Sequence, residues 1–110
     1  MSEMTIYFRS KVTCNIDLKV IEEYLLSKGW IDRGLWGPYA RLYQLPPKSE
    51  GKAQLIIKLL HTDKVGDFDR VMNDLFIDLS FIEQRPIIDI LNEMGAICGP
   101  VTQNRIKGLS

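Results

Sequence analysis

Histidine occurs once in these 110 residues, at His61. A paired-imidazole acid/base device or a multi-histidine metal site is therefore excluded by count. A nucleophilic site reduces to Cys14 with His61 as its base, and no third orienting group stands out. Cysteine is nearly as scarce, with Cys14 and Cys98 alone. Without the charged-then-apolar pattern of a secretory leader in Met1–Ser10, that pair reads as two reduced thiols in the cytoplasm. Cys14 reads as a small packed hydrophobe rather than a reactive thiol. No apolar run approaches the roughly 20 residues of a membrane span, so no membrane partner is expected. Net charge is absent too, 14 Lys/Arg meeting 14 Asp/Glu, which is unlike a dedicated nucleic-acid binder. Repeats, low-complexity tracts and linkers are missing, so one domain over residues 1–110 is expected, with 102–110 a frayed tail.

Several site motifs are also incomplete. Asp63, Asp67 and Asp69 lack the glycine and the twelfth-position glutamate of an EF-hand loop. Asp74 and Asp78 lie one helical turn apart and have too few further oxygen ligands for a hard cation. Gly34-Leu35-Trp36-Gly37-Pro38 has neither the Lys-Ser/Thr of a phosphate loop nor dinucleotide-type glycine spacing. The segment Gln54–Leu60 offers only Gln54 and Lys58, not the carboxylates of a metal-dependent nuclease. The expectation is a protein with no catalytic residue, metal or cofactor.

What is present is strong periodicity. In Gly66–Met94, Phe68, Val71, Met72, Leu75, Leu79 and Ile82 recur at the spacing of a helix burying one stripe. Phe76, Ile77 and Phe81 widen the stripe, implying apolar neighbours on two sides. Asp67 or Asp69 can cap or charge the helix start. Arg85-Pro86 ends it, and a short helix follows from Pro86 to Met94, stopped by Gly95.

Upstream, Met4–Val12 alternates as a strand with Ile6, Phe8, Ser10 and Val12 on one face and Thr5, Tyr7, Arg9 and Lys11 on the other. Thr13–Asp17 reads as a turn, with Asn15 or Asp17 as N-cap of a helix from about Ile16 to Lys28, ended by Gly29. Gly34 and Gly37-Pro38 bracket Leu35-Trp36 as a hairpin turn, and Tyr39–Leu45 is the returning strand. Pro46–Gly51 is a surface loop. The near-continuous apolar character of Ala53–Leu60 suggests a central strand covered on most of both faces. Ala96–Val101 is a short edge strand or an arm. The fold expected is α+β, an antiparallel sheet of three or four strands with two main helices and a short third one packed on one face.

The positive functional signal is the sheet face turned away from those helices. Tyr7, Arg9, Lys11, Arg41, Tyr43 and Lys58 would interleave rings with cations there, and Trp36 would project at the hairpin tip. Such a face suits a protein partner, where Tyr and Arg are enriched, or nucleic acid through stacking and phosphate contacts. Homodimerisation is also open. Charge is distributed unevenly: residues 1–62 hold nine Lys/Arg and six Asp/Glu, residues 63–93 hold three and eight, and residues 94–110 add Arg105 and Lys107. The acidic stretch is expected as the solvated back of the long helix.

Leu25-Leu26-Ser27-Lys28-Gly29-Trp30, His61-Thr62-Asp63, Gly66-Asp67-Phe68 and Phe81-Ile82-Glu83-Gln84-Arg85-Pro86, in this order, resemble a domain found at the N-terminus of many uncharacterised bacterial proteins of mobile-element or phage-defence type. There a helix ending in Gly-Trp precedes a strand, an acidic linker and a long helix closing on Glu-x-Arg-Ser; Pro86 stands here in place of the serine. The likeness spans about residues 18–94. It brings no catalytic residues and implies an accessory or recognition domain. The expectation is thus a small non-catalytic protein-binding module, an accessory subunit or inhibitor, with a nucleic-acid-binding accessory domain as the alternative.

Overall fold

The computed structural model describes residues 3–46 and 54–100. The elements run β1 (Glu3–Phe8), β2 (Val12–Asp17), α1 (Leu18–Ser27), β3 (Ile31–Trp36), β4 (Ala40–Leu45), β5 (Leu55–Leu60), α2 (Phe68–Glu83), α3 (Ile87–Met94) and β6 (Ile97–Pro100). The class is α+β, and its antiparallel strands fall into two three-stranded sheets ordered β1-β2-β6 and β3-β4-β5. Residues 101–110 and most of the Pro46–Gly51 loop lie outside the described residues. Among those described, no helix is long and apolar enough to cross a membrane.

The first strand is shorter than its alternation suggests. Arg9-Ser10-Lys11 makes a tight turn, with Lys11 left-handed at φ 68° and its N–H donating to the Phe8 carbonyl at 2.9 Å. The chain therefore doubles back, and Val12–Asp17, part of it expected as a turn, becomes the middle strand of its sheet. Met4, Ile6 and Phe8 on β1 and Cys14 and Ile16 on β2 enter the core. Asp17 caps α1, its carboxylate accepting from Lys19 N–H at 2.9 Å. The helix stops at Gly29, whose φ of 96° only glycine adopts without strain. Trp30 N–H then returns to the Leu25 carbonyl at 3.0 Å and its ring is buried.

In the second sheet, Gly34 lies within β3, and the turn falls at Gly37–Tyr39. An irregularity between Asp32 and Leu35 shifts the β3–β4 register. Strand β5 is an edge strand rather than a central one, and Ile56 and Lys58 face solvent. Its apolar run is long because α2 lies against it: Ile57 and Leu59 bury against the helix while Leu55 and Ile56 do not.

Helix α2 joins the two sheets by packing on β1 and on β5. Phe68, Val71, Met72, Leu75, Phe76 and Leu79 are buried, and Phe76 meets Phe8 edge-to-face at 5.5 Å. The widening of the stripe is covered only in part, since Ile77 is 42% and Phe81 83% exposed. Gln84 in the left-handed conformation ends α2, Pro86 opens α3 and Gly95 closes it. At this joint Glu83, Arg85 and Tyr24 interlock. The Tyr24 hydroxyl donates to the Glu83 carboxylate (2.8 and 2.9 Å) and accepts from Arg85 Nη2 at 2.8 Å. Arg85 Nε donates to Glu83 at 2.9 Å, its Nη2 reaches Glu93, and Lys28 pairs with Glu93 at 3.2 Å. One guanidinium thus fastens α1, the end of α2, and α3.

The separate thiols expected at Cys14 and Cys98 are instead joined. Antiparallel pairing of β2 with β6 sets the two residues opposite each other, Cα atoms 4.0 Å apart, and a disulfide links them. The partner of a strand 84 residues away is a tertiary fact that no local pattern encodes. With the bond in place, the two cysteines no longer speak for a reducing compartment. Closing a loop of this length stabilises the fold by roughly 4 kcal/mol in the chain-entropy account. Reduction with dithiothreitol should accordingly lower the melting temperature by about 10 °C or more. Calorimetry with and without reductant checks this, and equal transitions would show that β6 is held without the bond.

Candidate functional site

The structure does not assemble the face on which the sequence placed its contacts. Tyr7 is exposed on β1, while Arg9 and Lys11 sit in the turn beyond it, all on the first sheet. Arg41, Tyr43 and Lys58 are on the second sheet. Tyr43 is only 2% exposed and belongs to the core. It pairs across to Ile57, and Arg41 to Leu59, but burial does not follow a single face of β4: Ala40 and Tyr43, three residues apart and on opposite faces, are both buried. Arg41 is held by Asp32 through a two-oxygen contact at 3.0 and 3.1 Å. The Gly34 N–H and that guanidinium hold the Asp32 carboxyl below its usual range. Lys58 pairs with Leu42 and faces the other way. Trp36 is exposed, as expected of it, although it ends β3 rather than forming the turn. The interleaved platform that would serve nucleic acid is therefore not formed by these residues.

The other candidates are also placed. Cys14 is tied up by Cys98. His61 follows β5, its N–H donating to the Tyr39 carbonyl at 2.7 Å, and its Nε2 is buried without a partner. Asp67 and Asp74 flank Arg70 at 2.6 and 3.8 Å, and Asp69 accepts from Tyr7 N–H at 3.2 Å. Burial, then the nearby Asp74, pushes the Asp78 carboxyl up. Among the described residues no three His, Cys, Asp or Glu side chains gather as a metal site.

What the fold does build is an apolar cleft of about 450 Å³, lined by Phe8, Arg9, Ser10, Val12, Asn73, Ile77, Ile87, Ile88 and Leu91. The tip of the β1–β2 hairpin forms one wall, with Phe8 and Val12 cross-strand partners. Asn73 and Ile77, one turn apart on α2, form the floor, and α3 supplies the third wall. This volume is in the range of ligand-binding clefts. Ile77 and Ile88 remain 42% and 47% exposed at its mouth. Sequence reasoning did not find the cleft, yet it left a trace: Ile77 lies outside the stripe that one sheet would cover.

Asn73, the one buried polar residue among those described, lines the cleft and ties α2 to the hairpin. Its Nδ2 donates to the Tyr7 and Asp69 carbonyls at 2.8 and 2.7 Å, and its Oδ1 accepts from Arg9 N–H at 3.2 Å. With Asp69 on Tyr7 N–H, α2 thus satisfies the outer backbone edge of β1. The hairpin tip is kept at a set distance from the helix.

A second exposed apolar area lies on the outer side of the second sheet, where Ile31, Gln44 and Ile56 sit in one row and Leu42 and Lys58 in the next. Comparison with protein-family models, with curated proteins and with solved structures finds no match to this chain.

Two expectations follow from these contacts. Asn73→Leu leaves the Tyr7 carbonyl and the Arg9 N–H without partners and should cost roughly 2–3 kcal/mol in urea unfolding; a loss within error would show that water replaces the side chain. Tyr24 and Tyr43 have phenols pushed up to about 12, chiefly by burial, and next by the Glu83 hydrogen bond for Tyr24 and by the Glu22 charge for Tyr43. In the unfolded chain a phenol ionises near pH 10, so from about pH 10 to 12 the folded state binds more protons. Stability contributed by the neutral phenols is complete below about pH 10 and falls as pH rises through that window. Urea midpoints measured across it should drop, and less steeply in a Tyr24→Phe/Tyr43→Phe variant.

Proposed function

We propose that this chain is a non-catalytic protein-binding module, and that its contact is the cleft between the β1–β2 hairpin and helices α2 and α3. The observation that carries the reading is the pairing of an open apolar cavity with a rigid polar frame. Phe8, Val12, Ile77, Ile87, Ile88 and Leu91 offer area without hydrogen-bonding demand, which suits an aliphatic or aromatic side chain entering from a partner segment. Arg9 is the one charged residue in the lining and would give such a segment direction. Burial of one Leu or Ile side chain there is worth about 1.5–3 kcal/mol, so several anchors or a longer contact are needed for useful affinity.

An accessory or recognition role, which the Gly-Trp and Glu-x-Arg resemblance also implies, fits the same reading. The reactive residues support it too: Cys14 is engaged in its disulfide, and Glu83 and Arg85 are spent on each other and on Tyr24.

The test is a random peptide library displayed on phage and selected on the immobilised chain. Peptides with spaced Leu, Ile or Phe should emerge. Ile88→Asp should weaken them at least tenfold at an unchanged melting temperature, because Ile88 is half exposed. Lys58→Glu, on the other sheet, should leave them bound. Selected peptides indifferent to Ile88→Asp would rule the cleft out.

A further inference from the structure

The lining of the cleft is chemically one-sided. Phe8, Val12, Ile77, Ile87, Ile88 and Leu91 are apolar, and Arg9 is the single charged residue among them. Ser10, next to it, adds a hydroxyl, and Lys11 completes the same turn, so two cations stand at the hairpin tip. Neither makes an ion pair among the described residues. No described acid balances them from the other walls. Asp74 and Asp78, which follow Asn73 and Ile77 in sequence, line the β5 side of α2 instead. Asp69 is spent on the Tyr7 N–H, Glu93 on Arg85 and Lys28, and Asp89 is outside the lining. The cleft also lacks a free strand edge: the Tyr7 N–H, the Tyr7 carbonyl and the Arg9 N–H are taken by Asp69 and Asn73. A peptide main chain drawn inside would find no edge to pair with, and unpaired buried amides are costly. An aliphatic chain makes no such demand, and about 450 Å³ is room enough to hold one.

We infer that the cleft binds a medium-chain aliphatic carboxylate, its chain between the hairpin residues Phe8 and Val12 and the helix residues Ile77, Ile88 and Leu91, its head group paired with Arg9. Arg9 is exposed, so the carboxylate keeps part of its hydration while the chain leaves water, and burial of the chain supplies the driving force. The guanidinium offers two parallel N–H donors that match the two carboxylate oxygens. The inference rests on the cleft being a binding site and does not require a protein partner. A side chain reaching in from a partner would compete with the carboxylate for the same apolar space.

The experiment titrates the methyl-labelled chain with hexanoate, octanoate and decanoate below their micelle concentrations. The NMR signals of Ile77, Ile87 and Ile88 should shift saturably, while those of Ile31 and Ile56, on the far sheet, stay. Each two-carbon extension should tighten binding roughly fifteenfold until the cleft is filled. Arg9→Gln should weaken octanoate about threefold to tenfold at an unchanged melting temperature. The same substitution should leave octanol unaffected and improve the binding of octylammonium, whereas Ile88→Asp should weaken octanoate and octanol alike. Shifts that never saturate, or that appear equally at Ile31 and Ile56, would mark detergent-like adsorption and overturn the inference. So would octanoate binding indifferent to Arg9→Gln. Library peptides bound at Ile88 with no decanoate bound would remove the carboxylate and leave the protein-binding reading standing. Saturable, Arg9-dependent decanoate binding with no selected peptide would do the reverse.

Discussion

The burial of α2 against β1 on one flank and β5 on the other is the contact on which this architecture depends. Neither three-stranded sheet has enough area to shelter its own inner face, and a helix with a single narrow stripe covers only one of them. The six large side chains Phe68, Val71, Met72, Leu75, Phe76 and Leu79 supply a stripe broad enough for both. Because β1 and β5 belong to different sheets, the helix sets how the two halves of the core meet, and Phe76 packs edge-to-face on Phe8 on the first-sheet side.

A broad stripe has a consequence at its margin. Positions that one sheet leaves uncovered must be covered by something else or face water, and Ile77 faces water. Helix α3, turned back at Pro86 and fastened by Arg85 to Tyr24, Glu83 and Glu93, brings Ile87, Ile88 and Leu91 to the same margin. The hairpin tip closes the third side at the distance Asn73 imposes. The cleft is thus the space left between three elements that touch around it, with Asn73 and Asp69 tying α2 to the end of β1 by hydrogen bonds that collapse would disturb. A purely apolar junction there would shrink, since nothing polar would be left unpaired by filling the gap.

The disulfide acts within the same sheet, two residues along β2 from the cleft wall at Val12. Strand β6 is four residues long and pairs with β2 alone among the described strands. So short an edge strand has few ladder bonds to hold it, and the Cys14–Cys98 link makes its position independent of them.

Periodicity and the helix breakers determined the three helices, with α1 ended at Gly29, α3 opened by Pro86 and closed by Gly95, and the α+β class, because helix stripes and caps are set by neighbours within a few residues. Tight turns were less legible: Lys11 takes a left-handed turn that glycine usually fills, so the β1–β2 hairpin was hidden inside an apparently continuous alternation. The strand at β4 was visible in the sequence, but which of its residues are buried was not, since both sides carry an aromatic or aliphatic group. Only tertiary structure could place Tyr43 in the core, split one expected sheet into two, bring Cys14 to Cys98 and open a cleft between hairpin and helices. Each of those depends on what a residue meets across tens of positions of chain, and side-chain chemistry constrains such meetings without specifying the partner.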